Sequence, residues 1–225
     1  MMMKPLSPKK FLQRNESIVR LALVIFFGVG LAGFAIPATR ALFSGLTPVA
    51  LILSLLTLFA FHHSTGGLRN PSMFLAIVLA GFLIEVAGIR TGIIFGEYSY
   101  GNGLGPQLLK VPVLIGFNWL MMVYSTRIVA AGIFASPSLR IITASLLMVF
   151  YDIVLEQVAP DLGMWQFSGG NPPVRNYVSW FALSILFHSL LTLSGTRYYN
   201  RIAPFVFFLQ FLFFIALFFI LSLVK

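Results

Sequence analysis

Apolar runs long enough to cross a bilayer recur along this chain, and no other feature limits its fold as strongly. A hydrocarbon core of about 30 Å needs roughly 20 residues of helix per crossing, and seven runs separated by short polar breaks approach that length: Leu21 to Ala38, Pro48 to Phe61, Ser72 to about Gly88, Val111 to Phe134, Leu139 to Val158, Tyr177 to Gly195 and Pro204 to Val224. The second has a short apolar core and ends in His62 and His63. The basic stretch Lys4 to Arg20 precedes the first run as it would in a secretory leader, but that run exceeds the roughly 7–15 residues of a leader's apolar region, so it reads as a spanning helix. With 59% hydrophobic and 9% charged residues and a mean hydropathy of +0.95, a soluble globular domain is excluded. The expectation is an all-α polytopic bundle of about seven transmembrane helices, one membrane-embedded domain over 1–225, in contact with the lipid bilayer.

The net charge of +9 would invite a nucleic-acid reading in a soluble protein. In a membrane protein it is tested against the positive-inside rule instead. With the N-terminus inside, one face holds Lys4, Lys9, Lys10, Arg14, Arg20, Arg69, Arg140, Arg197 and Arg201; the other holds Arg40, Arg90, Lys110, Arg175 and Lys225, and Arg127 lies within the fourth helix. That excess predicts a cytoplasmic N-terminus in a multi-pass protein of a prokaryotic cell membrane, with no nucleic-acid partner.

Five of the six acidic residues, Glu85, Glu97, Asp152, Glu156 and Asp161, fall in the central part of the chain. Carboxylates at membrane depth are expensive and mark working sites. Helices three and five run in the same direction, so Glu85, Asp152 and Glu156 are expected near one face, where Asn118 and Trp119 open helix four and Asn176 to Trp180 open helix six. Asp152 and Glu156 are four residues apart and share a helix face. Two like charges so placed repel, and at least one is expected to hold a proton near neutrality, unless Arg90, Arg127 or Arg175 pairs with it. The competing reading is that such ion pairs simply pin the helices together.

Six glycines lie between Gly88 and Gly105. Gly88, Gly92 and Gly96 have the spacing of a helix-packing stripe. Gly101, Gly103 and Gly105, with Asn102 and Pro106, suggest a loop, either an ordinary surface loop or a re-entrant lip over the site. Tyr98, Tyr100, Trp119, Tyr151, Trp165, Tyr177 and Trp180 cluster on the same face, as an interfacial belt or as walls that stabilise a cation through their ring faces. No histidine pair has metal-ligand spacing, cysteine is absent, and no phosphate loop or nucleophile elbow is present. No lysine inside a helix could carry a retinal Schiff base, so this is not a rhodopsin.

Glu85 to Tyr100, followed by Leu104-Gly105-Pro106, Val111-Pro112 and Asn118-Trp119, and then Asp152 to Pro160, Gly163 to Trp165 and Pro172 to Trp180, resemble the two signature blocks of the CruF-type carotenoid biosynthesis family, the carotenoid 1,2-hydratase and bisanhydrobacterioruberin-hydratase-like integral membrane proteins. Gln157 departs from a proline at that position of the family pattern, which bears on where the fifth helix ends. The resemblance implies a hydratase that adds water to the terminal 1,2 (C1'-C2') double bond of an acyclic carotenoid end group, such as that of lycopene or gamma-carotene. Protonation of the alkene to a tertiary cation needs a positioned acid, a site that tolerates positive charge and one admitted water. That chemistry requires neither cofactor nor metal. The catalytic candidates are Asp152 or Glu156 as proton donor, with the ionised partner and Glu85 steadying the cation or orienting water. The substrate-binding candidates are Tyr98, Tyr100, Asn118, Trp119, Trp165, Asn176 and Trp180. Alternatives are a lycopene-cyclase-like enzyme, a non-catalytic carotenoid-binding protein and a proton-relaying transporter. Other carotenoid enzymes, a glycosyltransferase or a desaturase, are conceivable partners.

Overall fold

The computed structural model describes residues 8–223; Lys4 and Lys225, counted above in the charge balance, lie outside them. Each apolar run forms helix, because a segment without water must satisfy its backbone internally. In chain order the elements are α1 (Pro8–Arg14), α2 (Glu16–Ala35), a 3-10 turn (Pro37–Thr39), α3 (Arg40–Gly45), α4 (Thr47–Ala60), β1 (His63–Ser64), α5 (Arg69–Thr91), β2 (Tyr98–Tyr100), β3 (Gln107–Leu108), β4 (Val111–Pro112), α6 (Leu114–Ile133), α7 (Pro137–Glu156), β5 (Trp165–Phe167), α8 (Val174–Leu193), β6 (Tyr198–Tyr199) and α9 (Ala203–Leu223). Among the described residues six helices, α2 and α5 to α9, are long and apolar enough to span a membrane. The second run falls in a bent pair, Pro37–Gly45 and Thr47–Ala60, which meet at 50°; as one broken span the pair makes a seventh crossing, and as a re-entrant loop it makes none. Pro37 and Pro48 sit at the starts of the two pieces, where a missing N–H costs no helical bond.

Helix α6 is the hub. It packs against α4, α5, α7, α8 and α9, and every residue from Asn118 to Thr126 is buried. The outer helices turn their apolar side chains outward, as Leu75, Leu79 and Leu83 do on α5 and Phe208, Leu212 and Phe219 on α9. That is the pattern of a bundle solvated by lipid. Glycine sets the closest crossing: a Cβ on Gly81 of α5 would stand 2.8 Å from Cβ of Trp119, and one on Gly116 of α6 would collide with the Val78 carbonyl. The two backbones therefore approach closely through small residues.

The glycines that carry the expected packing stripe do something else. Only Gly88 is helical; Gly92 ends α5 in the left-handed region at φ 64°, and Gly96 lies in the following loop at φ 112°. Their four-residue spacing reflects a helix stop followed by a turn. The loop then forms a strap across the end of the bundle, where β2 pairs antiparallel with β5 (Tyr98 opposite Phe167, Tyr100 opposite Trp165). Gly101 and Gly103 lie flat on the 162–163 backbone, donating N–H bonds to the carbonyls of Met164 and Gly163. A side chain at either position would strike the backbone there.

Candidate active site

The strap and four helix ends enclose the central acids. Glu85 comes from the last two turns of α5, Asp152 and Glu156 from the last two turns of α7, Ile115 and Trp119 from the first turns of α6, and Asn176 and Trp180 from the first turns of α8. Strand alternation supplies the roof. Tyr98 and Tyr100 point inward on either side of exposed Ser99, and Trp165 and Phe167 do the same around exposed Gln166. Asp152 is fully buried, and Glu85 and Glu156 keep only 3% and 7% of their surface.

Two hydrogen-bonded groups face each other across the cavity. Glu85 accepts three bonds, from the hydroxyls of Tyr98 and Tyr100 (2.9 Å for the latter) on Oε2 and from Trp119 Nε1 (2.9 Å) on Oε1. Opposite, Asn176 Nδ2 donates to Asp152 Oδ2 at 2.9 Å and reaches Glu156 Oε1 at 3.4 Å, while Trp165 Nε1 donates to Glu156 Oε2 at 3.0 Å. Asp152 Oδ1 is buried with no hydrogen-bond partner among the described residues. Burial first, and the charge of Glu85 second, push the Tyr98 and Tyr100 phenols upward, so both keep their protons and act as donors throughout the physiological range.

Among the described residues no arginine or lysine ion-pairs with Glu85, Asp152 or Glu156, and Arg90 and Arg175 are exposed. Ion pairs that pin the helices together are therefore not what these acids make. The cavity between them has a volume of about 20 Å³, lined by Glu85, Asp152, Glu156, Asn176 and seven aromatic or apolar side chains that include Phe95, Ile115 and Phe167. One water molecule needs roughly 10–15 Å³ by this measure. The Trp119 and Trp180 rings stack at 4.2 Å with planes 17° apart.

The chamber thus collects all three catalytic candidates and, of the binding candidates, Tyr98, Tyr100, Trp119, Trp165, Asn176 and Trp180. Asn118 and Trp119 are both buried and neither lines the cavity; Trp119 belongs to the site through its bond to Glu85 and its stacking on Trp180. Glu97 and Asp161 are on the surface. Tyr151 packs among Phe207, Phe211 and Phe214 in the core. Phe95 and Phe167 were missed as lining residues; their only signal was an aromatic position beside the inward tyrosines and tryptophan. Gln157 caps α7, which ends at Glu156.

A multi-pass bundle that closes a small chamber of carboxylates and aromatic rings defines an integral membrane protein with a buried acidic site. The chain belongs to the family of carotenoid biosynthesis proteins, whose model matches residues 46–225 and so takes in the whole chamber. It is 30% identical over 152 residues to the bisanhydrobacterioruberin hydratase of Haloarcula japonica, an overlap covering 61% of this chain and 51% of that protein. The chain thus spans about half the length of this curated relative. No solved structure matches it.

Proposed function

We propose that this protein is a carotenoid hydratase that adds water across the terminal 1,2 (C1'-C2') double bond of an acyclic carotenoid such as lycopene or gamma-carotene. The observation that carries the reading is the chamber itself: three unneutralised carboxylates around a space for one water, walled by aromatic rings. The relative's hydratase name points the same way.

Asp152 is the proton donor. Its free Oδ1 faces no competing acceptor, and Asn176 holds it beside Glu156, so the two carboxyls share protons as one coupled pair. The proton passes from Asp152 to C2 of the alkene, leaving a tertiary cation at C1. The ring of Trp180, backed by the stacked Trp119, and the carboxylate of Glu85, fixed by its three donors, stabilise that charge without reorganising. Water then bonds to C1 and returns a proton to the Asp152–Glu156 pair, which restores the acid and leaves a tertiary alcohol. The closed space of about 20 Å³ admits water but no end group, so the β2–β5 strap lifts for substrate to enter. The chain acts as a single membrane domain with a cytoplasmic N-terminus.

The test is to express the chain in a lycopene-producing bacterium and weigh the new pigment. Hydration adds the mass of one water per modified end. Cyclisation conserves mass, and a carrier leaves the pigment unaltered; either outcome sinks the proposal.

A further inference from the structure

The opposite end of the bundle holds a second and much larger cavity, of about 1120 Å³, between the C-terminal turns of α6 and α8, the start of α7, the α8–α9 connection and the N-terminal helices. Four arginines line it: Arg127, Arg140, Arg197 and Arg201. Glu16 is the carboxylate on its wall, and it already holds Arg20 at 2.6 Å. The cavity therefore presents several positive charges that the described residues do not neutralise.

An excess of arginine on one face of a membrane protein is ordinary. Arg127 is not ordinary, because it lies six residues inside the end of α6, where a charge is costly unless paired. Its partners are neutral: the His188 carbonyl at 3.2 Å, the Thr192 hydroxyl at 3.0 Å and the Tyr198 ring, 5.6 Å below the guanidinium. Arg140 is aimed by its bond to the Phe134 carbonyl, and α7 begins at Pro137 on the same wall, adding the positive end of its dipole. In the wall beneath, the buried hydroxyls of Thr196 and Tyr198 have no hydrogen-bond partner among the described residues. A fixed set of guanidinium donors around a cavity of ligand size is the chemistry that takes phosphate, often two N–H bonds at a time.

We propose that this basin binds a phosphate-bearing anion, either the headgroup of an acidic phospholipid or a free phosphate compound, on the membrane face opposite the carboxylate chamber. Basic pockets between helices capture acidic headgroups in this way. The site does not depend on the hydratase reading.

The experiment follows thermal unfolding of the full chain in neutral detergent, with phosphatidylglycerol, phosphatidylcholine or inorganic phosphate added. Phosphatidylglycerol or inorganic phosphate is expected to raise Tm by on the order of 5 °C, whereas phosphatidylcholine does not. A response to phosphatidylglycerol alone assigns a lipid, and a response to inorganic phosphate assigns a free anion. The double variant Arg197→Gln/Arg201→Gln removes two exposed charges without touching the core, and it should lose most of the rise. Arg127→Gln should lose it as well. No rise with either anion, or an undiminished rise in the double variant, overturns the site.

Discussion

The same three helices, α6, α7 and α8, build both ends of this molecule, yet the ends are opposites. At one end Ile115, Asp152, Glu156 and Asn176 close on a space of about 20 Å³ beneath a two-stranded strap. At the other end Arg127, Arg140 and the residues after Thr192 surround an open basin of about 1120 Å³. Along α7 the separation from Asp152 to Arg140 is twelve residues, or about 18 Å of helix. The chamber isolates carboxyl groups from cations and from bulk solvent while leaving room for one water, which suits proton transfer to an alkene. The basin gathers cations where solutes can reach them, which suits anchoring of an anion. Charge in a bundle is thus tolerated for two different reasons, and enclosure distinguishes them.

The comparison breaks most readily at the acids. Asp152→Asn and Glu156→Gln should each reduce hydrated pigment by about 10²–10⁴-fold, the usual contribution of a positioned acid, while the protein still inserts and its basin still responds to anion. Chromatography with mass detection reads the product, and full activity in both variants would remove them from the chemistry. Glu85→Gln should cost less, about 10–100-fold, because it removes stabilising charge and not the proton. Tyr98→Phe and Tyr100→Phe should each cost about tenfold, since each deletes one hydrogen bond to a charged group. A Glu85 variant equal to its parent in the pigment assay would place that carboxylate outside the mechanism.

The strap gives the next smaller effect. Ala at Gly101 or Gly103 would drive a Cβ into the backbone carbonyls of Gly163 or Leu162, so Gly103→Ala should destabilise by about 1–3 kcal/mol through overpacking. Denaturant unfolding checks that value. The loss should fall on the chamber end and leave the basin's response to anion in place.

The chamber was legible in the sequence because it rests on local patterns: apolar runs of spanning length, the parity that sends the helices bearing Glu85 and Asp152 the same way, and the i,i+4 spacing of Asp152 and Glu156. The strand that sets Tyr98 and Tyr100 on one face was not legible, because its partner β5 lies much further along the chain. What escaped depends on partners far apart in the chain. Gly81 lies under Trp119, and Gly116 lies against Val78, with no periodicity to announce either contact. The basin end was equally hidden: Asn200 Nδ2 donates to the Tyr124 hydroxyl at 3.1 Å across 76 residues, and Arg127 meets His188 across 61. The bend between Gly45 and Thr47 was visible only as a run too short to span.

A final prediction tests His62, beside the basin, by pH. His62 follows α4 near the basin, its Nδ1 2.8 Å from the Tyr124 hydroxyl and its Nε2 2.7 Å from Asn70 Nδ2. Burial, then Lys9 and His63, lower its pKa from 6.5 to about 4, so the folded protein keeps this ring neutral where the unfolded chain would protonate it. Between pH 6.5 and about 4 the unfolded state binds more protons, and its proton uptake draws the equilibrium toward unfolding. The stability held by the neutral ring is therefore complete above pH 6.5 and is lost progressively as pH falls to about 4. Because His62 is only half-buried, screening by solvent trims the effect, and the expected drop in Tm across that window is a few degrees. His62→Gln cannot titrate and should remove this contribution from the Tm-against-pH curve. An unaltered slope in His62→Gln would assign the titration to another group and leave His62 as packing alone.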